Sequence, residues 1–549
     1  MRKILKALAF VAAAMAVTTV FCSASRAKQM AMVENLKITC NPEVLALVGD
    51  NIPADVTVTF PNGYFAPTAI ITVTPVLVYE GGEQALKAKI YQGEKVKDNN
   101  WVIPADGGTV KESYQFAYRS GMEASHLELR ITVFYGKKRI EVPAIKVADG
   151  LITTARLADA GGYYSFKADE YQSVISSTTE GQILYDKNSA NVKTSQLRSS
   201  SINDLKAALA EIMKDPRYTV KNTQIVAYAS PEGGQEYNAK LSDKRASSAQ
   251  KAWDKISKDI DVDDIQVKSI GQDWEGFQEA VQESNIEDKE LILRVLSMYS
   301  DPAVREREIR NMSQVYSEIN DKVFPELRRA RFIADVDYQN FSDEELEDLS
   351  QKAINMLDEE GLLRVAANST NKARKEELYN RAVKNFGSDR ANFNLAVLAL
   401  DDKNPDSALP YLNAIKKPDA DVINAKGVCA LQKGNYDEAA KLFKQSGTKE
   451  SAANLGTVNI LQGDYEAAAR NLAGTGVSNE PVAYLLTGQN AKAASAVSGD
   501  GARADYIRAI AAARAGNATA AKNYLSSATA KDPSFKTKAA KDIELSKVL

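Results

Sequence analysis

The chain has 549 residues, several times one ordinary domain, so length alone predicts two to four domains. Its 69 Lys and Arg nearly balance 72 Asp and Glu, which argues against the basic surface that non-specific nucleic-acid binding needs. A single histidine, His126, all but excludes imidazole triads and histidine-ligated zinc or haem, so no cofactor is expected.

Residues 1–25 read as a secretory signal peptide. Arg2, Lys3 and Lys6 form the basic start, Leu8 to Phe21 the apolar core, and Ser23-Ala24-Ser25 the small-residue exit. The apolar run is short for a membrane-spanning helix, and no later segment is long enough. The protein is therefore expected to be exported, and soluble or peripheral. Lipidation at Cys22 is the alternative, with Phe21 standing where a small residue normally precedes such a Cys. Cys22, Cys40 and Cys429 have no metal-binding spacing, and Cys429 falls on a helical core stripe as a buried thiol.

Residues 37–150 have β texture. Alternating or β-branched runs at 56–60, 69–74, 76–79, 114–118 and 127–134 are separated by Gly, Pro and Asn, which predicts an all-β sandwich. Pro67, Pro75 and Pro104, with charges on both faces, argue against a membrane barrel. A connector is expected over 151–180.

The next region, 181–338, is organised around YASPEGGQEYNAKLSDKRA, residues 228–246. An apolar strand, 224–228, meets a turn containing Ser230, Pro231, Gly233 and Gly234. A helix is expected to open near Asn238, a capping residue type, with Leu241, Ala249, Ala252, Trp253 and Ile256 on one stripe. Arg245 lies on that same stripe, where a guanidinium needs an anionic partner. Two readings follow: a small pocket for an anionic or zwitterionic ligand, or an internal ion pair with Glu232, Glu236 or Asp243. Around this centre the sequence predicts a strand at 182–185, a helix starting with Ser201 and Asp204 as a capping box, and strands at 265–270 and 331–338. Together they predict an α+β domain with helices on one face of a mixed sheet. A mostly helical insertion is expected over 274–325.

The run with Tyr237, Asn238, Leu241, Ser242, Arg245 and Ala246 resembles the peptidoglycan-associating domain of the OmpA family. The resemblance covers about a third of the chain, and it implies a periplasmic protein peripheral to the outer membrane. It implies a site for the zwitterionic end of diaminopimelate in the cell-wall stem peptide, with Arg245 as a ligand-holding residue and Asn238, Leu241, Ser230 and Glu232 around it. Ser230 stands where the family carries an Asp, and Glu232 follows two residues later.

Residues 339–549 are helical and Ala-rich. Turn-and-helix units recur at Lys403, Gly434, Gly463, Gly488 and Gly516, spaced about 25 to 31 residues apart. They resemble tetratricopeptide repeats, whose usual period is about 34 residues. That resemblance implies a concave groove for peptides or proteins, with a structural rod as the alternative. Taken together, the sequence suggests a non-enzymatic envelope scaffold binding peptidoglycan through its OmpA-like domain and envelope proteins through its repeats. The alternative is an assembly or secretion adaptor whose OmpA-like domain no longer binds the wall. A cell-wall hydrolase is a third class, which needs positioned carboxylates, and Glu232 beside Arg245 is better explained as charge pairing.

Overall fold

The computed structural model describes residues 36–257 and 265–548. The expected signal peptide, with Cys22, lies outside them. The chain divides into two compact units, Met1–Ala168 with Ser369–Leu549 and Asp169–Asn368.

Among the described residues of the first unit, eleven strands occupy residues 37–152. They are β1 (Lys37–Asn41), β2 (Val44–Ala46), β3 (Asn51–Phe60), β4 (Ala69–Tyr79), β5 (Gly82–Ala85) and β6 (Lys89–Gly93), then β7 (Trp101–Ile103), β8 (Gly108–Ala117), β9 (Ser125–Tyr135), β10 (Lys138–Glu141) and β11 (Ile145–Ile152). One sheet has the order β1-β3-β8 and the other β2-β11-β9-β4-β6-β7, with β5 paired to β4 and β10 to β9. Alternate residues point inward, as the two-residue period of a strand requires. Ile52 and Phe116 from the small sheet share one core with Leu77, Leu127 and Leu129 from the large one. The runs 69–74 and 76–79, expected as separate strands, form the single strand β4 through Pro75. Pro75 lacks only the N–H; its carbonyl stays in use, accepting from Leu86 N–H at 3.0 Å. Cys40 and Cys429 are both buried and unbridged, and burial pushes each thiol up to about 11.

The rest of this unit is a stack of helices running from Lys372–Phe386 to Ser534–Lys541, each packed on the next in sequence. Small residues set the distance between paired helices. A Cβ built on Gly456, in the helix Lys449–Gln462, would lie 2.5 Å from Leu472 Cγ of the following helix.

The second unit holds a four-stranded sheet of order β12-β15-β13-β14, made of β12 (Val174–Leu184), β13 (Tyr218–Ala229), β14 (Gln266–Gln272) and β15 (Arg329–Gln339). β15 is antiparallel to both of its neighbours, and β13 is parallel to β14. The helix Gln235–Ile256 makes the crossover that parallel strands require. With Ser200–Ile212 it covers the face carrying Ile183, Ile225, Phe332, Ala334 and Val336. Trp253 stacks on Phe332 with ring centroids 5.5 Å apart. The helices between β14 and β15 build a second core of their own around Phe277, Ile292, Ile319 and Phe324.

Several local boundaries differ from the sequence expectations. β12 begins at Val174, inside the segment expected as connector, because it pairs with β15 along its whole length. Ser199, not Ser201, caps the first helix, accepting from Ile202 N–H, while Ser201 Oγ accepts from Gln182 N–H on β12. The helices Asp343–Lys352 and Glu359–Asn368 belong to the second unit, so the stack of the first unit begins after residue 368.

Filling the Gly456 contact should loosen the helix stack. Gly456→Val is expected to cost about 1–3 kcal/mol by overpacking, measured as a lowered denaturation midpoint of the full chain.

Candidate functional site

The residues expected to hold a zwitterion gather at the C-terminal end of β13. Arg245 is 1 % exposed, and its guanidinium donates to three backbone carbonyls. Nε reaches Ser189 O at 3.0 Å, one terminal nitrogen Tyr228 O at 2.8 Å, and the other Asp186 O at 3.2 Å. The group also lies 5.0 Å from the centre of the Tyr185 ring, whose hydroxyl donates to Arg245 O. Burial lowers Arg245 to about 10, which leaves it charged at neutral pH. None of the expected partners Glu232, Glu236 and Asp243 forms an ion pair with it: Glu236 binds Lys240, and Asp243 accepts from Ser269.

Glu232 is engaged with other cations. It binds Arg328 Nε at 2.8 Å and Lys187 Nζ at 2.9 Å, and accepts from Ser230 Oγ at 2.8 Å. Burial opposes its ionisation, yet the hydrogen bonds from Arg328, Lys187 and Ser230 outweigh it and hold the carboxyl below its ordinary range. The helix opens at Gln235 after Gly234, so Asn238 lies in its first turn and does not cap it. Its amide instead donates to Ser230 O and Gly233 O, closing the turn. Leu241 is buried one turn further on. The five residues thus share one neighbourhood, in which three of the five Arg245 N–H groups and both Asn238 amide hydrogens donate to backbone carbonyls.

A second arrangement lies in the first unit, and sequence reasoning missed it. After β11, residues 154–167 run across successive helices of the stack. Their start is part of its core: Ala155 and Leu157 cluster with Tyr484, Ile507 and Ile510. Arg503 Nε donates to Leu157 O at 2.7 Å, and Thr154 donates to Glu544 at 2.7 Å. Beyond Leu157 the segment is held by asparagine amides. Asp159 N–H donates to Asn479 Oδ1 at 2.9 Å, and Asn479 Nδ2 returns to Asp159 O at 2.8 Å. Tyr163 makes the same reciprocal pair with Asn454, at 2.7 and 2.9 Å, and its carbonyl also accepts from Asn424. Lys167 repeats it with Asn394, at 2.7 and 3.0 Å.

All four asparagines are at most 3 % exposed. Asn454 also donates to Asn424 Oδ1, and Asn479 to Thr457, which uses the second amide hydrogen of each. A primary amide carries both a donor and an acceptor, which is what an extended backbone presents. The arrangement therefore holds a polypeptide through its main chain, as a neighbouring strand would. Side chains add selectivity. Gly162 has φ +87°, and a Cβ there would lie 2.5 Å from Val428 Cγ1. Lys167 Nζ binds Asp419 at 2.6 Å and also Asp421, and Tyr164 donates to Asp401 at 2.8 Å. A signal was present in the sequence: Asn394, Asn424 and Asn454 recur at 30-residue intervals, each in the middle of a helix.

Residues 360–423 match the tetratricopeptide repeat family. The C-terminal region carries tetratricopeptide repeats. Among solved structures, the chain is similar to one from the APC/C hetero-tetramer Cut9-Hcn1, with 16 % identity and a TM-score of 0.32, over 37 % of this chain and 44 % of that one. A tetratricopeptide repeat protein from Parabacteroides merdae aligns with 15 % identity and a TM-score of 0.30, over 37 % of this chain and 91 % of that one. YrrB, described as a TPR protein with an unusual peptide-binding site, aligns with 19 % identity and a TM-score of 0.24, over 30 % and 99 %. The chain thus spans under half the length of the Cut9-Hcn1 chain it matches. No curated protein matches it.

Removing the Arg245 guanidinium strands buried carbonyls. Arg245→Ala should cost about 3 kcal/mol or more, read by chemical denaturation of the second unit's signal, with no change in the repeats. The depressed Glu232 value stabilises the fold fully above the ordinary carboxylate range, and that contribution is lost as pH falls through the folded value. Glu232→Gln should therefore lower stability at neutral pH and flatten its decline in acid, measured by denaturation across a pH series.

Proposed function

We propose that this chain is a non-catalytic protein-interaction scaffold of the cell envelope, an assembly or secretion adaptor. The observation that carries the reading is the row of Asn394, Asn424, Asn454 and Asn479, which grips an extended polypeptide by its main chain. Export is supported by the leader-like first 25 residues. The OmpA-like assignment of 181–338 is supported by the Tyr237-to-Ala246 pattern and by a mixed sheet with two helices on one face.

Within that domain, the wall-binding role of Arg245, Asn238, Ser230, Glu232 and Leu241 is the second reading, favoured by the motif. The hydrogen bonding supports the adaptor instead. Arg245 is spent on three carbonyls, and Glu232 is neutralised by Arg328 and Lys187, where a zwitterion would need both charges free.

One experiment on the full chain separates the two. Chemically cross-linked producing cells should yield discrete protein adducts that disappear with Asn424→Ala and Asn454→Ala together, while the purified chain should not sediment with diaminopimelate-type sacculi. Sedimentation lost on Glu232→Gln in a folded chain would restore the wall anchor. Adducts unaffected by the asparagine changes would sink the groove as the partner site.

A further inference from the structure

We infer that residues 158–168 are an exchangeable internal ligand, and that a partner enters the repeat groove by displacing them with an extended segment of its own. This rests on the scaffold reading above and adds what the partner looks like and what guards the site.

The segment from β11 onward has two unlike halves. Thr153, Thr154, Ala155 and Leu157 are 2–6 % exposed and belong to the fold's interior. From Ala158 to Ala168 every residue is half-buried or exposed, and no member of this stretch is a fully buried core residue. Removing the first half would open a cavity. Removing the second would uncover asparagine amides and carboxylates, which water or another chain can satisfy, together with the apolar surface on which Ala158, Ala160, Tyr163 and Tyr164 pack, which another chain can cover. Its attachment is also mostly non-specific. The amides of Asn479, Asn454 and Asn394 bind N–H and C=O groups that any residue except proline supplies. Main-chain pairing of this kind gives affinity, and a few side-chain positions give selectivity.

Those positions define the partner. The contact of Gly162 with Val428 demands glycine, with positive φ and no side chain. Asp419 and Asp421 around Lys167 demand a cation five residues later. The N–H groups used at 159, 163 and 167 exclude proline there. The partner is thus an extended protein segment bearing glycine and, five residues on, Lys or Arg. The cis segment guards the groove by its effective concentration, which for a short tether is in the millimolar range. An external segment binds only in proportion to the fraction of groove left open.

The test uses the full chain and a fluorescent synthetic peptide with the sequence of residues 156–168. Wild type, Gly162→Val and Lys167→Glu are compared by fluorescence anisotropy. Chymotrypsin cleavage within 163–166 reports whether the cis segment has left, and circular dichroism reports folding. Both variants should be cleaved faster and bind the peptide at least about ten-fold more tightly than wild type. Adding Asn424→Ala and Asn454→Ala should abolish that binding. Lys167→Glu changes a partly exposed charge and decides the matter if Gly162→Val does not fold. Wild type binding as tightly as the variants would overturn the guard and leave the groove as a partner site. Variants that are cleaved yet bind no peptide would overturn both the exchange and the groove. Variants neither cleaved nor binding would show a permanent strut, overturning the exchange while the cross-linking result still judges the scaffold.

Discussion

An extended chain laid in a groove cannot satisfy its own hydrogen bonds. Each N–H and C=O left without a partner there costs free energy of the order of a lost hydrogen bond. The first unit depends on how that constraint is met. Asn479, Asn454 and Asn394 each return one donor and one acceptor to a single residue of the segment, at Asp159, Tyr163 and Lys167. Neither a carboxylate nor an aliphatic side chain can do both. Because the segment follows directly on β11, the same hydrogen bonds help to make sandwich and repeats one unit, although the second unit separates them in sequence.

The second unit meets the same constraint with the roles reversed. There the buried group is a cation, Arg245, and the backbone supplies the partners through Ser189, Tyr228 and Asp186. Three carbonyls from two chain segments converge on it, so the guanidinium ties the loop after β12 to the end of β13. In both units a buried polar side chain makes irregular backbone affordable to bury. Neither case needs a buried ion pair, whose desolvation often cancels its attraction.

Much of this architecture was legible because it is local. Strand alternation, the stripe from Leu241 to Ile256, the helical insertion and the recurring Gly-turn units are all set by neighbours a few residues apart. Arg245 was legible as a buried cation, but its partners were not, since two of the carbonyls lie more than fifty residues away. The same limit hid the role of residues 158–168. Gly161-Gly162 reads as a loop in sequence, and only Val428 shows why Gly162 must be glycine. The asparagines were visible one at a time. Their meaning as a row appears only when the repeats stack and bring residues from three helices and the N-cap of a fourth to one line. Asn238 misled in the opposite way, because a good capping residue type sat within one turn of the true helix start and was used to close the turn instead.

The segment also has a direction. From Asp159 to Lys167 it meets Asn479, then Asn454 and Asn424, then Asn394, so it runs against the order of the repeats. Its outgoing end therefore arrives where the helix stack begins, and Phe166 lies 5.4 Å from the Lys375 ammonium in the first helix of that stack. The chain leaves the first unit beside the place where it comes back. Residues 169–368 are thus nested at a single address, as a passenger whose entry and exit share one doorway. A gene could lose, duplicate or exchange that passenger while every contact within its host stayed in place.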